Sequence, residues 1–448
     1  MREEFDVFVI GSGIAGQSVA KACVENKLKV AISDHRVYGG TCANRGCDPK
    51  KVILGVTEVM KLSQNLNGKG VSELPELSWK DVMTFKKQFT DAVPASTEKK
   101  MKKLGIAMYH QSPHFLDSNT LSVEGKTVKA KKIVIASGLM PRPLDMEGAS
   151  LALLSDDFME LKELPESMIF IGAGYIGMEF AHMAARFGVK VTVLDLDSRP
   201  LSVFDKDMVE YIRKTSEDIG IEFIFNAEVT SIKELRKNKR VNFSVKGKKQ
   251  DAVAELIFNT SGRIPSIDML DLEKGNVATS SNGIAVNEYL QNTTNPDVYA
   301  CGDVSANAVP LTPFSSLEGK MVAHNILNGN EKKADFPVTP SVVFTLPNLA
   351  SVGMSEEEAK NLNIDIEIVC QDASAFYNAK RINEKIYAYK TVVDKKTNKI
   401  LGAHLVGPEA GEVINLFSMA IYNKMTVAEL KEMIFTYPSW GADIPYMF

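Results

Sequence analysis

Two stretches of the chain share one layout of apolar and polar positions. In FDVFVIGSGIAGQSVAKACVENKLKVAISD, an apolar run over Phe8–Ile10 breaks at Gly11, Gly13 and Gly16. A helix-like stretch follows, and a second apolar run over Val30–Ile32 ends at Asp34. Short apolar runs bounded by turn residues predict buried strands, and strand, glycine turn, helix and strand in this order predict a βαβ unit. The layout returns in MIFIGAGYIGMEFAHMAARFGVKVTVLD, with Gly172, Gly174, Gly177 and the acid Asp195 at the same interval from the first glycine. Nearer the C-terminus, SEEEAKNL predicts a helix capped by Ser355, and GEVINLFSMAIYNKM predicts an apolar helix suited to a subunit contact.

The glycine positions carry chemistry as well as shape. The first glycine permits a tight turn, the second lets the backbone approach a pyrophosphate, and the third allows the helix to pack closely on the strand. The anion then sits at the positive end of a helix dipole, and the acid accepts from ribose hydroxyls. Two such units imply two dinucleotides in series, one held and one exchanging. Asp195 favours NADH over NADPH, because a carboxylate repels a 2′-phosphate. Arg199 lies close enough in sequence to oppose that preference.

Composition narrows the class. At 448 residues the chain exceeds one ordinary core, with 45% hydrophobic and 24% charged residues and a formal net charge of −4. That balance leaves no basic footprint for nucleic acid. The start, MREEFDVFVIGSG, has no signal-peptide pattern, and no apolar run approaches the roughly 20 residues that span a bilayer. The expectation is a cytoplasmic protein with no membrane partner. Five cysteines, an odd number, do not form a secreted disulfide scaffold.

Two of the five stand in GGTCANRGCDPKK, residues 39–51. The gap between Cys42 and Cys47 is too long for most zinc knuckles and no second pair supplies ligands, so no metal site is expected. The residues alone leave a catalytic pair and two structural thiols both open. Cys23, Cys301 and Cys370 have no partner at a motif spacing and are assigned no chemistry.

Taken together, these segments resemble class I pyridine nucleotide–disulfide oxidoreductases over nearly the whole chain. GGTCANRGCDPKK is similar to the family's redox-disulfide helix. IVIASGLMPRP resembles its ATG segment, with Ser137 in place of threonine, followed by Gly138. NTSGRIPS carries Gly262 and Arg263, VYACGDV carries Gly302 and Asp303, LTPFSSLEGK follows, and TPSVVFTLPNLASVG opens a segment similar to the dimer-interface domain. The resemblance implies an α/β fold of two Rossmann-like domains plus a C-terminal α+β dimerisation domain. The implied parts are an FAD portion over 1–145 and 263–336, an NAD(P) portion over 146–262 and an interface domain over 337–448.

It also implies roles. FAD would lie against Gly11, Gly13, Gly16, Asp34, Gly40, Thr41, Ser137, Gly138, Gly302 and Asp303, and Gly262 and Arg263, on the strand leaving the NAD portion, are also expected to bind cofactor. NADH or NADPH would lie against Gly172, Gly174, Gly177 and Asp195. By family position Cys42 is the interchange thiol and Cys47 the thiol lying against the flavin. Lys51 aligns with the lysine near the flavin, Glu179 with the glutamate that pairs with it, and Tyr175 with an aromatic that covers the flavin until nicotinamide enters. The expected assembly is a homodimer whose C-terminus completes the partner's site, and the expected acceptor is a small-molecule disulfide.

The chain departs from the family at its end. Where the disulfide reductases carry a histidine, FTYPSWGADIPYMF places Tyr437; the accompanying glutamate falls on Ala442, with Asp443 one residue beyond. A histidine titrates near neutrality, whereas tyrosine's ordinary value is about 10, so tyrosine is a poor general base at pH 7. Two other readings therefore stay open. One is a metal-ion reductase similar to mercuric reductase, although no cysteine follows Cys370. The other is a diaphorase or transhydrogenase without a thiol relay. SAFYNAKRINEK, with Tyr377, Lys380 and Arg381, reads either as a cationic aromatic lip or as an exposed charged turn.

Overall fold

The first apolar run forms β1 (Arg2–Ile10), which turns at Gly11 into α1 (Ile14–Glu25) and returns as β2 (Val30–Ser33). In this computed structural model, which describes residues 2–448, Val9 pairs with Ile32 of β2 on one side and with Val134 of strand Lys126–Ile135 on the other, all in parallel register. A central parallel strand is covered on both faces, which is why Val7–Ile10 are apolar without a break. Strand Ala107–Tyr109 extends the sheet beyond β2, while Thr120–Val123 and His114–Phe115 extend it antiparallel on the other side. Strand Val298–Ala300 adds in parallel to the end of Lys126–Ile135, bringing the GD segment back to this sheet.

After β2 the chain forms a short helix, α2 (Gly40–Arg45), and then the longer α3 (Cys47–Asn65). Gly46 separates them with φ −128° and ψ −115°, outside helical values, so Cys47 begins a new helix.

Two compact units result. The first draws on the chain up to Val52, on Thr84–Arg142 and on Gly262–Asp335; the second draws on Ile53–Met83, Pro143–Ser261 and Phe336–Phe448. The second unit holds a four-stranded parallel sheet ordered Ile221–Ile224, Lys190–Leu194, Ser167–Ile171, Leu256–Asn259. Its aromatic core stacks Phe158 on Phe180 at 4.2 Å between ring centroids. The same unit carries a five-stranded antiparallel sheet over Ser341–Gly407, against which helix Ala410–Tyr422 buries Val413, Ile414 and Phe417. Ser355 and Glu358 close a capping box at the start of helix Glu356–Asn361. His404 is buried in the antiparallel sheet, near Ser351 Oγ at 3.1 Å and the Met354 carbonyl at 3.2 Å. No helix among the described residues is long and apolar enough to cross a membrane.

Candidate functional site

The two glycine loops differ internally in an informative way. A Cβ on Gly11 would stand 2.2 Å from the Ala136 carbonyl oxygen, and one on Gly16 would stand 2.0 Å from that of Gly11. Protein packing alone requires both to be glycine. At Gly13 the nearest atom would be 3.9 Å away, and at Gly174 nothing lies within 4 Å. What needs room there lies outside the protein's own packing, at the point where the fingerprint brings a pyrophosphate. Both helices start without a side-chain cap and without an acid in the first turn, leaving N–H donors for an anion. The loops thus fit the dinucleotides that the fingerprint implies.

At the first loop Ser12, whose position the glycine pattern leaves unspecified, ties the site together. Its N–H and hydroxyl both donate to Asp34 Oδ2, at 2.9 and 2.6 Å, and its oxygen accepts the Gly39 N–H at 3.1 Å. Asp34 Oδ1 accepts from Arg36 N at 2.9 Å. Oδ1 keeps lone-pair capacity for a hydroxyl, whereas both sites on Oδ2 are taken by Ser12. Gly40 adopts φ +74°, and a Cβ there would stand 2.5 Å from Gly13 Cα, so nucleotide loop and redox segment meet glycine against glycine.

Cys42 lies in α2, one residue after exposed Thr41, and Cys47 heads α3; both thiols are free. A hydrogen bond between them places the shared proton on Cys42, lowering Cys47 to about 6 and raising Cys42. The Thr312 hydroxyl, 3.2 Å from Cys42 Sγ and 3.8 Å from Cys47 Sγ, further favours the thiolate, as does Lys50. A thiolate at the positive end of a 19-residue helix is the arrangement that makes a cysteine reactive at neutral pH. Lys51 is exposed one turn along α3 from Cys47, at the i,i+4 spacing that shares a helix face. Thr312 was legible only as part of LTPFSSLEGK, without a stated role.

The remaining first-unit residues cluster around the end of the sheet. Ser137 Oγ is enclosed without a hydrogen-bond partner, and Gly138 follows at φ +68°. Gly262 accepts from Arg142 N at 3.0 Å where strand Arg263–Pro265 pairs with Leu139–Pro141, and the Arg263 guanidinium donates to the Leu139 carbonyl at 2.5 Å. Asp303 accepts from Ser315 Oγ at 3.0 Å, and burial raises its carboxyl. The two remaining buried thiols, Cys23 and Cys301, are pushed up by desolvation and are inert packing groups.

In the second unit, Gly172 and Gly177 repeat the tight packing, with Cβ positions 2.4 Å from the Thr260 carbonyl oxygen and 2.1 Å from that of Gly172. Asp195 accepts from Ala173 N and, at 2.7 Å, from Asp197 N; burial raises its carboxyl. Arg199 turns inward: its guanidinium donates to the carbonyls of Phe204 at 3.0 Å and Ser202 at 2.7 Å. Tyr175 is half exposed in the first turn of helix Tyr175–Arg186, and Glu179, one turn on, is 2% exposed with Oε1 accepting the Phe344 N–H at 2.9 Å.

Tyr437 lies on the C-terminal segment. It is 72% exposed, with its ring 6.2 Å from that of Tyr377, which is also exposed. Asp443 is buried and engaged elsewhere: it accepts from Asn378 Nδ2 at 3.3 Å and from Tyr387 OH at 3.2 Å. Tyr437 is therefore not served by the carboxylate that follows it. Lys380 is exposed and Arg381 Nε reaches Asn378 Oδ1 at 3.4 Å, so the SAFYNAKRINEK stretch packs on the C-terminal segment while presenting a ring and a cation to solvent.

Two family models match the chain in sequence order. The pyridine nucleotide-disulphide oxidoreductase model matches residues 5–324, and the dimerisation domain of the same family matches 339–446. This chain belongs to the pyridine nucleotide-disulphide oxidoreductase family. It is a flavin-dependent enzyme of that family, whose members use FAD and NAD(P)H. Mercuric reductase from Staphylococcus aureus is 30% identical over 441 residues, covering 97% of this chain and 80% of that protein. Glutathione reductase from a Nostoc species is 30% identical over 454 residues, covering 98% of each. Among solved structures, the HOCl-induced flavoprotein disulfide reductase RclA from Escherichia coli superposes with a TM-score of 0.86 at 27% identity over 99% of both chains. A Cu(II) complex of RclA gives 0.87 at 27% identity, covering 98% of this chain and 99% of the other.

Proposed function

We propose that this oxidoreductase passes electrons from NADH through the Cys42–Cys47 pair to a small disulfide acceptor. The observation that carries the reading is the thiol pair itself: two cysteines at a helix break, sharing one proton, with Cys47 lowered to about 6 beneath the Thr312 hydroxyl. The site residues fit a division into an FAD portion (1–145 and 263–336), a nicotinamide portion (146–262) and an interface domain (337–448). FAD, when bound, supplies two-electron transfer between nicotinamide and sulfur. The chain's residues do the rest. Cys42 passes its proton to Cys47 and, as a thiolate, attacks one sulfur of the acceptor, forming a mixed disulfide and releasing one thiolate, which takes that proton back from Cys47. The Cys47 thiolate then attacks Cys42 Sγ, remaking the internal disulfide and releasing the second thiolate, and one proton from solvent completes the products. By family position, Lys51 and Glu179 would balance charge for a bound flavin, and Tyr175 would guard the nicotinamide entrance.

NADH is the expected donor. Asp195 and Asp197 repel a 2′-phosphate, and Arg199, the cation that could have attracted one, is committed to carbonyls of its own loop. The dimerisation domain supports a homodimer in which Tyr437 completes the partner's site, and a pair that must cycle through free thiols suits the cytoplasm.

A metal-ion acceptor is the second reading, favoured by Tyr437 at the histidine's place while Asp443 is engaged by Asn378 and Tyr387. Mercuric reductases are among the relatives, and RclA forms a Cu(II) complex.

Thiol counting under denaturing conditions tests the relay. The air-oxidised enzyme should show three titratable thiols of the five cysteines, and NADH under anaerobic conditions should raise this to five. An unchanged count on reduction would sink the relay in favour of a diaphorase. With the relay established, NADH oxidation driven by disulfides rather than by Hg(II) or Cu(II) separates the two acceptor readings.

A further inference from the structure

Glu318 is fully buried on helix Thr312–Asn328, and no cation pairs with it among the described residues. Its Oε2 accepts the Gly302 N–H at 2.6 Å, while Oε1 is enclosed without a partner. Three residues earlier on the same helix face, Ser315 donates to Asp303 Oδ1 at 3.0 Å. One helix face therefore grips both residues of the GD turn. The turn has no slack on its other side. A Cβ on Gly302 would stand 3.0 Å from the Ala15 Cβ, and one on Gly319 would stand 2.5 Å from the Ala15 carbonyl oxygen. Here α1 and the helix carrying Glu318 close on each other with the turn between them.

An isolated buried carboxylate is costly, so such a group keeps its proton. Burial pushes Glu318 up to about 8 against the Gly302 N–H bond, which favours the charged form, with Asp303 adding to the rise. The other titratable groups here are Cys301 beside the turn, raised by burial and by Glu318, and Arg263, which lies near Asp303.

We propose that Glu318 is the positioning residue for the Gly302–Asp303 turn, and that it holds the turn in its flavin-binding form only while protonated. The inference rests on reading this turn as part of the FAD site. Ionisation places an unpaired charge beside Asp303, and the turn shifts away from the cofactor. Cofactor retention is thereby tied to a proton that the redox cycle does not use.

The test is FAD binding to deflavinated protein, followed by flavin fluorescence from pH 6.5 to 10, with far-UV circular dichroism as a check on folding. Wild type should lose more than tenfold in affinity across the range, with a midpoint near the acid's raised value. Glu318→Gln keeps an acceptor for Gly302 and cannot ionise, so its affinity should match wild type at pH 7 and stay flat. Glu318→Leu removes the acceptor and should bind weakly at every pH. A Glu318→Gln profile that follows wild type, or a folded Glu318→Leu with wild-type affinity, would overturn the proposal. Wild type that takes up no FAD at any pH would overturn the reading of the turn and the proposal with it.

Discussion

Phe344 donates its backbone N–H to Oε1 of Glu179 at 2.9 Å. The contact begins a row along one helix face: His182 Nδ1 accepts from Leu346 N at 3.3 Å, and Arg186 donates to the Leu346 carbonyl at 2.9 Å. The segment 344–346 thus holds Glu179 in place by backbone contacts. Glu179→Gln keeps an acceptor for Phe344 but loses the charge. Stopped-flow reduction by NADH should slow by about tenfold, equivalent to about 1.4 kcal/mol of barrier, with little change in melting temperature.

His182 is wholly enclosed and is held well below its ordinary value by burial, so the folded state keeps it neutral. The sign follows from linkage. The unfolded chain binds a proton that the folded chain refuses, so stability is full above about pH 6.5 and is lost as pH falls below it. His182→Leu leaves the Leu346 N–H unpaired and should cost about 1–3 kcal/mol at pH 7.5. In urea titrations the variant should also lose less stability than wild type between pH 7 and pH 5.

Cys47 owes its low value first to the Cys42 hydrogen bond and then, against burial, to Thr312 and Lys50. In the NADH-reduced enzyme, alkylation of Cys47 should rise through about pH 6. Cys42→Ser should move that midpoint upward, and Thr312→Val should move it upward by less. Mass spectrometry of the alkylated peptide reads both.

Arg199 spends its donors on Ser202 and Phe204, so Arg199→Ala should lower the melting temperature without changing the NADH-to-NADPH ratio of kcat/KM. Asp195→Ala should lower kcat/KM for NADH by at least about tenfold, since a hydrogen bond to a charged group contributes about 1.5–3 kcal/mol. NADPH should then lose its disadvantage.

Tyr437→His places an imidazole where disulfide reductases have one, yet Asp443 remains occupied by Asn378 and Tyr387. The single change should raise disulfide turnover by less than about tenfold, because an unoriented imidazole is a weak general acid–base group. Adding Ala442→Glu should raise it further. Tyr437 is exposed, so its substitution should cost under about 0.5 kcal/mol.

Features governed by backbone conformation were legible in the sequence. Gly11, Gly16, Gly172 and Gly177 are required by contacts a few residues away or by the adjoining strand, and such needs leave a spacing that can be read. Cys42 and Cys47 were readable through their company. Thr312 reaches Cys42 from 270 positions further along, and Glu318 reaches Gly302 through a helix turn, so neither leaves a local pattern. The direction of Arg199 was equally hidden, because carbonyls of an irregular loop decide it. Asp443 stood one position from the expected carboxylate, and only its partners show that it is engaged elsewhere.

Gly13 and Gly40 belong to different signatures, one for a nucleotide and one for a disulfide, yet Gly13 fills the space a side chain on Gly40 would need. The disulfide signature cannot drift at this glycine alone. A methyl group at position 40 would wedge the cysteine helix away from the nucleotide loop, and the two would separate before either lost its own residues. In a set of homologues Gly40 should persist wherever the two segments still meet, and a lineage that abandons the thiol relay should be free to change it while Gly13 stays with the nucleotide.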